Sequence, residues 1–177
     1  MEQCDAMSDA NNIGNVNKFG SASNIRNAND SDVSFLRPAP QPRDAFRHFS
    51  SISTRWMDND AYGHINNVVY YRYFDTVVNR YLIETGVLDV QRGVVIGLVV
   101  ETHCNYFSPL SFPQTVDTGL RVAKLGASSV RYEIGLFGGG APITAACGHF
   151  VNVYVDRETR RPAAISATLI QTPQGLL

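Results

Sequence analysis

The residues best suited to chemistry lie in one short polar segment, where two acidic side chains, Asp58 and Asp60, precede a turn at Gly63. An amphipathic pattern begins soon afterwards, at Asn67, so the order of residues places a carboxylate beside the N-terminus of a helix. Carboxylates in such a place serve as metal ligands, as caps of the helix, or as bases and nucleophiles.

The first of these chemistries, calcium binding, fits the segment only in part. The acids occupy the first and third positions of a calcium-binding loop, and Gly63 occupies the sixth. Tyr62 stands at the fifth position, and Val69 stands at the twelfth, where a bidentate carboxylate is needed to close the site. We therefore do not predict a calcium site.

A purely structural role for the acids stays open. A carboxylate near the positive end of a helix dipole stabilises the helix by roughly 0.3–1 kcal/mol. Asp60 lies seven residues before Asn67, which is farther than a helix cap usually lies.

The pattern that follows predicts one long helix over residues 67–85, which ends at Gly86. Its bulky residues recur at helical spacing and form one apolar stripe: Tyr70, Tyr73, Phe74, Val77, Val78, Tyr81 and Leu82. The rest of the domain is predicted to consist of strands, at 46–56, 94–107, 115–125, 129–137 and 142–155. An apolar segment at 165–170 is either a short helix or a loose end.

Short loops between consecutive strands require antiparallel pairing, so we expect an α+β domain in which one antiparallel sheet wraps one helix. In the second strand, strict alternation predicts one face formed by Ile96, Leu98, Val100, Thr102, Cys104 and Tyr106. The opposite face is predicted to carry Glu101, His103 and Asn105.

Composition limits the class of protein. Residues 1–44, rich in asparagine and serine, are predicted to be a disordered tail that ends in a proline-rich spacer, and residues 45–172 form the domain. The net charge of −1 gives no reason to expect a nucleic-acid partner, and no apolar run is long enough to span a membrane. The N-terminus lacks the pattern of a signal peptide, so we expect a cytoplasmic protein with reduced cysteines. His103 and His149 lack metal-ligand spacing with the cysteines, and neither a metal nor another cofactor is predicted.

One motif resembles the signature of a known family. The pattern W-x-D-x-D-x-x-G-H-x-N-N-x-x-Y is formed by Trp56, Asp58, Asp60, Gly63, His64, Asn66, Asn67 and Tyr70. It resembles that of hotdog-fold acyl-CoA thioesterases of the 4-hydroxybenzoyl-CoA thioesterase family, and the similarity covers about residues 46–166. The resemblance implies a hotdog fold, with one long helix wrapped by a five-stranded antiparallel sheet. It also implies hydrolysis of an acyl-CoA thioester to the free acid and CoA.

The resemblance also assigns roles to individual residues. It places the catalytic carboxylate on Asp60, which would act as a base or as a nucleophile. The free backbone NH at the start of the helix, near Asn67, would then serve as the oxyanion donor. Substrate-binding roles fall on His64, Asn66, Tyr70, Asp75, Lys124, Ser128 and Ser129. Asp75 corresponds to a carboxylate that faces the acyl group, although a surface pair with Arg72 would also explain it. A backbone hydrogen bond would equally explain His64.

The turn before the fourth strand differs from the family pattern. It contains Gly126, Ala127 and Ser128, with Lys124 nearby, where the family uses basic residues to bind the phosphates of CoA. The choice between CoA and an acyl-carrier protein, and the acyl specificity, therefore stay open.

Two other functions and the assembly also follow from the expected fold. A hotdog dehydratase or hydratase would use Asp60 with His64 on the acyl chain, and a non-catalytic module would bind acyl thioesters without turnover. A single sheet around one helix leaves strand edges and one sheet face open, so we expect a homodimer or a homotetramer.

Overall fold

The structure is a computed structural model that describes residues 38–165 and residue 176 of the 177-residue chain. Most of the predicted N-terminal tail, and the apolar segment at 165–170 beyond Ile165, lie outside the described residues. The end of the proline-rich spacer belongs to the domain, because the amide of Gln41 donates to Oγ1 of Thr144 at 2.9 Å and its carbonyl accepts from the Thr144 amide.

One long helix and five strands make up the domain. In chain order they are a 3₁₀ turn at Arg43–Ala45, β1 at His48–Ser53, a 3₁₀ turn at Trp56–Asp58, α1 at Asn67–Glu84, β2 at Val95–Tyr106, β3 at Thr115–Leu125, β4 at Ser129–Gly138 and β5 at Ala146–Asp156. The strands form a single antiparallel sheet in the order β1-β3-β4-β5-β2. The predicted α+β architecture is confirmed. Strand β1 is shorter than predicted, because the second 3₁₀ turn follows it. Strand β5 is also shorter than predicted, because it begins at Ala146.

The helix packs its apolar stripe against one face of the sheet and forms the core. Seven helix residues are buried: Val69, Tyr70, Tyr73, Phe74, Val77, Val78 and Leu82. The sheet contributes alternate residues of β3 and β4, as predicted: Val116, Thr118, Leu120, Val122, Val130, Tyr132, Ile134 and Leu136. A side chain at Gly148 would collide with the Phe74 ring, so this glycine lets the helix approach the sheet closely.

The predicted faces of β2 are wrong for its first half. Opposite residues in a sheet share a face, and β2 pairs Gly97 with Tyr154 but Thr102 with Phe150. Tyr154 and Phe150 both belong to the core, so their partners Gly97 and Thr102 both face the helix. An odd and an even position can share this face because a β-bulge between Val99 and Glu101 inserts one extra residue. Thr102, Cys104 and Tyr106 share the predicted face, whereas Ile96 and Leu98 lie on the opposite one.

Candidate active site

The polar segment folds back on itself just before α1. An isolated antiparallel bridge joins Asn59 to Ile65, and the amide of Asp60 donates to the carbonyl of His64 at 2.7 Å. The amide of Gly63 donates to the Asp60 carbonyl at 3.1 Å, and the positive φ of 79° at this glycine favours the turn. The fold-back brings Asp60 close to the start of the helix, although seven residues separate it from Asn67.

The carboxylate of Asp60 uses one oxygen for structure. Its Oδ1 accepts the backbone NH of Tyr62 at 2.8 Å and that of His64 at 3.2 Å. Its Oδ2 has no hydrogen bond or ion pair within the described part of the chain, and the residue is half-buried. Asp60 therefore does not cap the helix: one oxygen fixes its own turn, and the other is free to take a proton or to attack a carbonyl.

The first turn of α1 offers one free donor beside this carboxylate. The side chain of Asn66 caps the helix by accepting the NH of Val68 at 3.1 Å, and its carbonyl accepts the NH of Val69 at 2.9 Å. The NH of Asn67 makes no hydrogen bond to any described residue, and Asn67 is exposed. The side chain of Asn66, predicted to bind substrate, is thus occupied in capping the helix.

Two tyrosines line the same region. The buried ring of Tyr70 packs edge-on against Tyr106, with ring centroids 4.9 Å apart, and the hydroxyl of Tyr106 lies 3.5 Å from the carbonyl of Asn67. Burial raises the pKa of Tyr70, and the negative charge of Asp60 contributes a smaller part in the same direction. The Tyr70 phenol therefore stays protonated near the Asp60 carboxylate. Tyr106 was not predicted as a site residue.

The other acid of the pair, Asp58, anchors the loop. It is 2% exposed, and its Oδ2 accepts the NH of Arg55 at 2.7 Å and the hydroxyl of Tyr73 at 2.9 Å. Its Oδ1 lies 3.9 Å from the guanidinium of Arg72, and its carbonyl accepts the NH of Asn66 at 2.8 Å. Asp58 thus connects the loop to the preceding residue Arg55 and to α1, through Tyr73 and Asn66.

Two further predicted residues point to solvent in the single chain. His64 is exposed, and the hydrogen bonds given for it involve its backbone. Asp75 is exposed, and its Oδ1 accepts the amide of Asn79 at 2.9 Å. The alternative explanation of Asp75, a surface pair with Arg72, is not observed among the described residues, because Arg72 faces Asp58 instead.

The three residues expected to bind CoA lie far from this loop within one chain. Lys124, Ser128 and Ser129 lie at the hairpin between β3 and β4, whereas the start of β3 adjoins the loop through a hydrogen bond from Thr54 Oγ1 to the carbonyl of Gln114 at 2.7 Å. The length of β3 separates the two places by about 33 Å. One chain does not bring these residues to Asp60.

A mostly apolar cavity of about 370 Å³ lies at the C-terminal end of α1, on the side of β2. It is bounded by Asn79, Leu82, Ile83, Leu88, Val90, Ile96, Gly97, Asn152, Tyr154 and Arg157. The sequence analysis did not single out Asn152. The pattern of β5 gave a signal, because Asn152 interrupts the inward series that contains Phe150 and Tyr154.

Within residues 38–165 no group of three histidine, cysteine or acidic side chains is placed to hold a metal ion. No helix in the described part of the chain is long and apolar enough to cross a membrane.

Comparison with known proteins identifies the family. The family model of the thioesterase-like superfamily matches residues 54–171, and the search of curated proteins gave no match. Among solved structures, the PA5185 protein of Pseudomonas aeruginosa is 54% identical, with a TM-score of 0.76 over 78% of this chain and 96% of that one.

Two other solved structures carry thioesterase names. The PA2801 protein of P. aeruginosa, whose description suggests a thioesterase, is 28% identical, with a TM-score of 0.67 over 71% of this chain and 97% of that one. A thioesterase of Thermus thermophilus, solved with coenzyme A and zinc, is 27% identical, with a TM-score of 0.63 over 75% and 96% of the two chains. The predicted hotdog fold is thereby confirmed, and this chain belongs to the thioesterase-like superfamily, a family of thioester-hydrolysing enzymes.

Proposed function

We propose that the protein hydrolyses an acyl-CoA thioester to the free acid and CoA. The observation that carries the proposal is that Asp60, whose Oδ2 accepts no hydrogen bond from the described residues, precedes the start of α1, where the NH of Asn67 is unbonded. The coenzyme A bound to the related Thermus thioesterase supports CoA as the thiol carrier.

The chemistry follows from these two groups. As a base, Asp60 takes a proton from a water molecule, and the oxygen of that water attacks the thioester carbonyl. The carbonyl oxygen becomes negative, and the NH of Asn67 stabilises it; one donor of this kind is typically worth roughly 2.7–4 kcal/mol. Collapse of the intermediate breaks the carbon–sulfur bond, and the CoA thiolate then takes up a proton. Asp60 acting as a nucleophile would instead form an anhydride, which water then hydrolyses.

We further propose that the complete site requires two copies of the chain. Strand β2 is an edge strand of 12 residues, and exposed apolar side chains lie along it: Leu98, Val99 and Val100. An exposed edge of this length favours pairing with a second strand. Two-fold pairing of β2 would be antiparallel, so the Tyr106 end of one copy would face the Val95 end of the other.

This pairing would complete the site. Tyr106 adjoins the catalytic loop, and the cavity of about 370 Å³ adjoins the beginning of β2. The carboxylate of one copy would therefore act on an acyl group held in the cavity of the other. A homodimer is the smallest assembly with this property, and the open face of the sheet allows a homotetramer.

The test is a panel of acyl-CoA and acyl-carrier substrates, with release of the free thiol as the readout. We expect cleavage of at least one CoA ester, with carrier-bound esters cleaved more slowly. Lack of cleavage across the panel by a folded protein would contradict the proposal. Tight binding without cleavage would then support the non-catalytic module.

The exposed side chain of His64 next to Asp60 gives one reason to test a second reaction. A hydratase needs an acid and a histidine at the acyl chain, so hydration of crotonyl-CoA is measured beside hydrolysis. Hydration that exceeds hydrolysis would replace the thioesterase proposal.

A further inference from the structure

A second cavity, of about 350 Å³, lies between the edge strand β1 and helix α1. Residues 51–53 border it on the strand side, and Arg72, Thr76 and Arg80 border it on the helix side. These three helix residues are spaced by four, so they lie on one face of α1. Arg55, in the turn that follows β1, is a third arginine at this cavity. We call the cavity the β1 groove.

The β1 groove carries an excess of positive charge. Its lining contains three guanidinium groups and one carboxylate, that of Asp58, which leaves two positive charges in excess. The carboxylate is already occupied, because its Oδ2 accepts the Arg55 amide and the Tyr73 hydroxyl. Its Oδ1 lies 3.9 Å from the guanidinium of Arg72, which is a weak contact. A concave surface with such an excess attracts an anion.

Most hydrogen-bond donors of these arginines are unused. A guanidinium carries five N–H groups, and Arg80 uses one of them on the carbonyl of Ser51 at 3.1 Å. Within the described part of the chain, Arg55 forms no ion pair, and Arg72 forms only the contact at 3.9 Å. The hydroxyl of Ser53, which borders the groove, has no hydrogen bond to a described residue. The strand, the turn and the helix therefore each offer a donor to the same cavity.

Two of the arginines meet at the Tyr73 end of the groove. Burial raises the pKa of Tyr73, and the hydrogen bond and charge of Asp58 raise it further. The charges of Arg55 and Arg72 act in the opposite direction, which places both of them near the Tyr73 hydroxyl. Two cations from different parts of the chain thus face one place.

A phosphate monoester matches these groups better than a carboxylate does. It carries a charge of about −1.5 to −2 at pH 7, close to the excess charge of the groove, whereas a carboxylate carries a single charge. Arginine binds phosphate oxygens through two parallel N–H donors, and Ser53 adds a hydroxyl donor. The volume of about 350 Å³ lies in the lower part of the range for small-molecule sites. Room therefore remains for a small molecule attached to the phosphate.

The β1 groove lies apart from the cavity proposed for the acyl group. Strands β1 and β2 are the two edges of the sheet, and four strand spacings, roughly 19 Å, separate them. The acyl cavity and the edge proposed to pair with a second copy both adjoin β2. A ligand in the β1 groove therefore leaves that cavity and that edge open.

We propose that the β1 groove binds a small phosphate monoester as a second ligand, distinct from the thioester, and that Arg55, Arg72 and Arg80 hold its phosphate. The ligand stabilises the folded domain, because it binds the folded chain and neutralises charges that repel one another. Asp58 borders the groove and connects the loop to α1, so the site adjoins the loop that carries Asp60. Binding does not depend on thioester hydrolysis.

The experiment is titration calorimetry of the full-length chain at about pH 7.5, where a phosphate monoester is mostly a dianion. The probes are inorganic phosphate, glycerol 3-phosphate and AMP, and glycerol and adenosine are the matched neutral compounds. At least one monoester should bind with a Kd below about 1 mM, whereas the neutral compounds should not bind in this range. The melting temperature should rise with the concentration of the bound monoester.

Single variants assign the binding to the groove. Arg55→Gln and Arg72→Gln should each weaken binding about tenfold or more, because each removes charged hydrogen bonds to the phosphate. Arg92→Gln is the matched control, since Arg92 is an exposed arginine between α1 and β2; its Kd should stay within about twofold. Thr76→Glu places a carboxylate between Arg72 and Arg80 and should abolish binding without lowering the melting temperature.

Several results would overturn the proposal. One is a folded chain that binds none of the three phosphate probes. Another is binding that persists in both arginine variants, or that weakens equally in Arg92→Gln, because the phosphate would then lie elsewhere. Displacement of the bound monoester by CoA would assign the groove to the substrate and remove the second ligand. If neither arginine variant folds, Thr76→Glu decides: loss of binding supports the proposal, and survival of binding overturns it.

Discussion

Removing the buried carboxylate of Asp58 should strongly destabilise the domain. Asp58→Ala takes the acceptor away from the NH of Arg55 and from the hydroxyl of Tyr73, which is itself buried. Tyr73→Phe removes one of the two donors and leaves the carboxylate in place. The two variants and their combination form a double-mutant cycle around one hydrogen bond.

The contacts set the expected magnitudes. Each hydrogen bond to a charged group contributes about 1.5–3 kcal/mol, so loss of both should cost roughly 3–6 kcal/mol of unfolding free energy. The contact with Arg72 adds little, because its N–O distance is 3.9 Å and the arginine side chain is 61% exposed. Tyr73→Phe should cost about 1.5–3 kcal/mol. Once the carboxylate is gone, the same substitution should cost almost nothing, which gives a coupling of about 1.5–3 kcal/mol.

Urea denaturation at one fixed protein concentration measures these quantities, because an assembly makes stability depend on concentration. Asp58→Ala should also lower the melting temperature by roughly 6–24 °C. Additivity of the two substitutions within about 0.5 kcal/mol would refute the assigned hydrogen bond and the anchoring role of Asp58.

Three other predictions concern the tail, the strand edge and the thiols. Deletion of residues 1–37, which keeps the spacer residues that pair with the domain, should leave the hydrolysis rate within a few-fold; a large loss would show that the tail takes part in the site. Val100→Lys on the exposed edge of β2, where the valine is 63% exposed, should yield a monomer in light scattering with little activity, whereas an active monomer would contradict a shared site. Burial raises the pKa of both Cys104 and Cys147 to about 11, so at pH 8 only about 0.1% of each thiol is ionised. At pH 8 a Cys4→Ser variant should therefore react with a thiol reagent about a hundredfold more slowly than a thiol of pKa 9 does. Its labelling rate should rise about tenfold per pH unit up to about pH 11. Fast labelling at pH 8 would contradict the burial of both thiols.

The helix and the central strands could be predicted because local patterns determine them. The apolar stripe and Gly86 predicted α1 nearly to its last residue, and strict alternation predicted β3 and β4. In β2 the alternation misled, because the bulge near Val100 adds a residue without a sequence signal of its own.

The site could be predicted only as far as residue types reveal it. Asp58 and Asp60 look equivalent in the sequence, and the contact between Asp58 and Tyr73 separates their roles. Tyr106 adjoins the loop through the sheet, and Asn152 lies about 20 Å along β5 from the Tyr106 end, so neither shares a local motif with Asp60. Tertiary packing places such residues at the site or the cavity, and their spacing along the chain does not reveal this.

The central claim is that Asp60 performs chemistry, and substitution by asparagine tests it most directly. Asparagine keeps an oxygen that can accept the NH groups of Tyr62 and His64 but cannot act as a base. Asp89 offers a matched control after the opposite end of α1. Its Oδ1 accepts the NH groups of Gln91 and Arg92, each at 2.9 Å, in a turn of the same kind.

The decisive measurement is kcat for Asp60→Asn and Asp89→Asn on the best substrate of the panel, with melting temperatures measured in parallel. We predict a fall of roughly 10²- to 10⁴-fold for Asp60→Asn with a much smaller change in KM, because a general base is lost while substrate contacts remain. Asp89→Asn should retain kcat within about threefold, since it alters only a turn. Equal kcat values for the two variants, or a drop in melting temperature that accounts for the lost activity of Asp60→Asn, would contradict the catalytic role of Asp60.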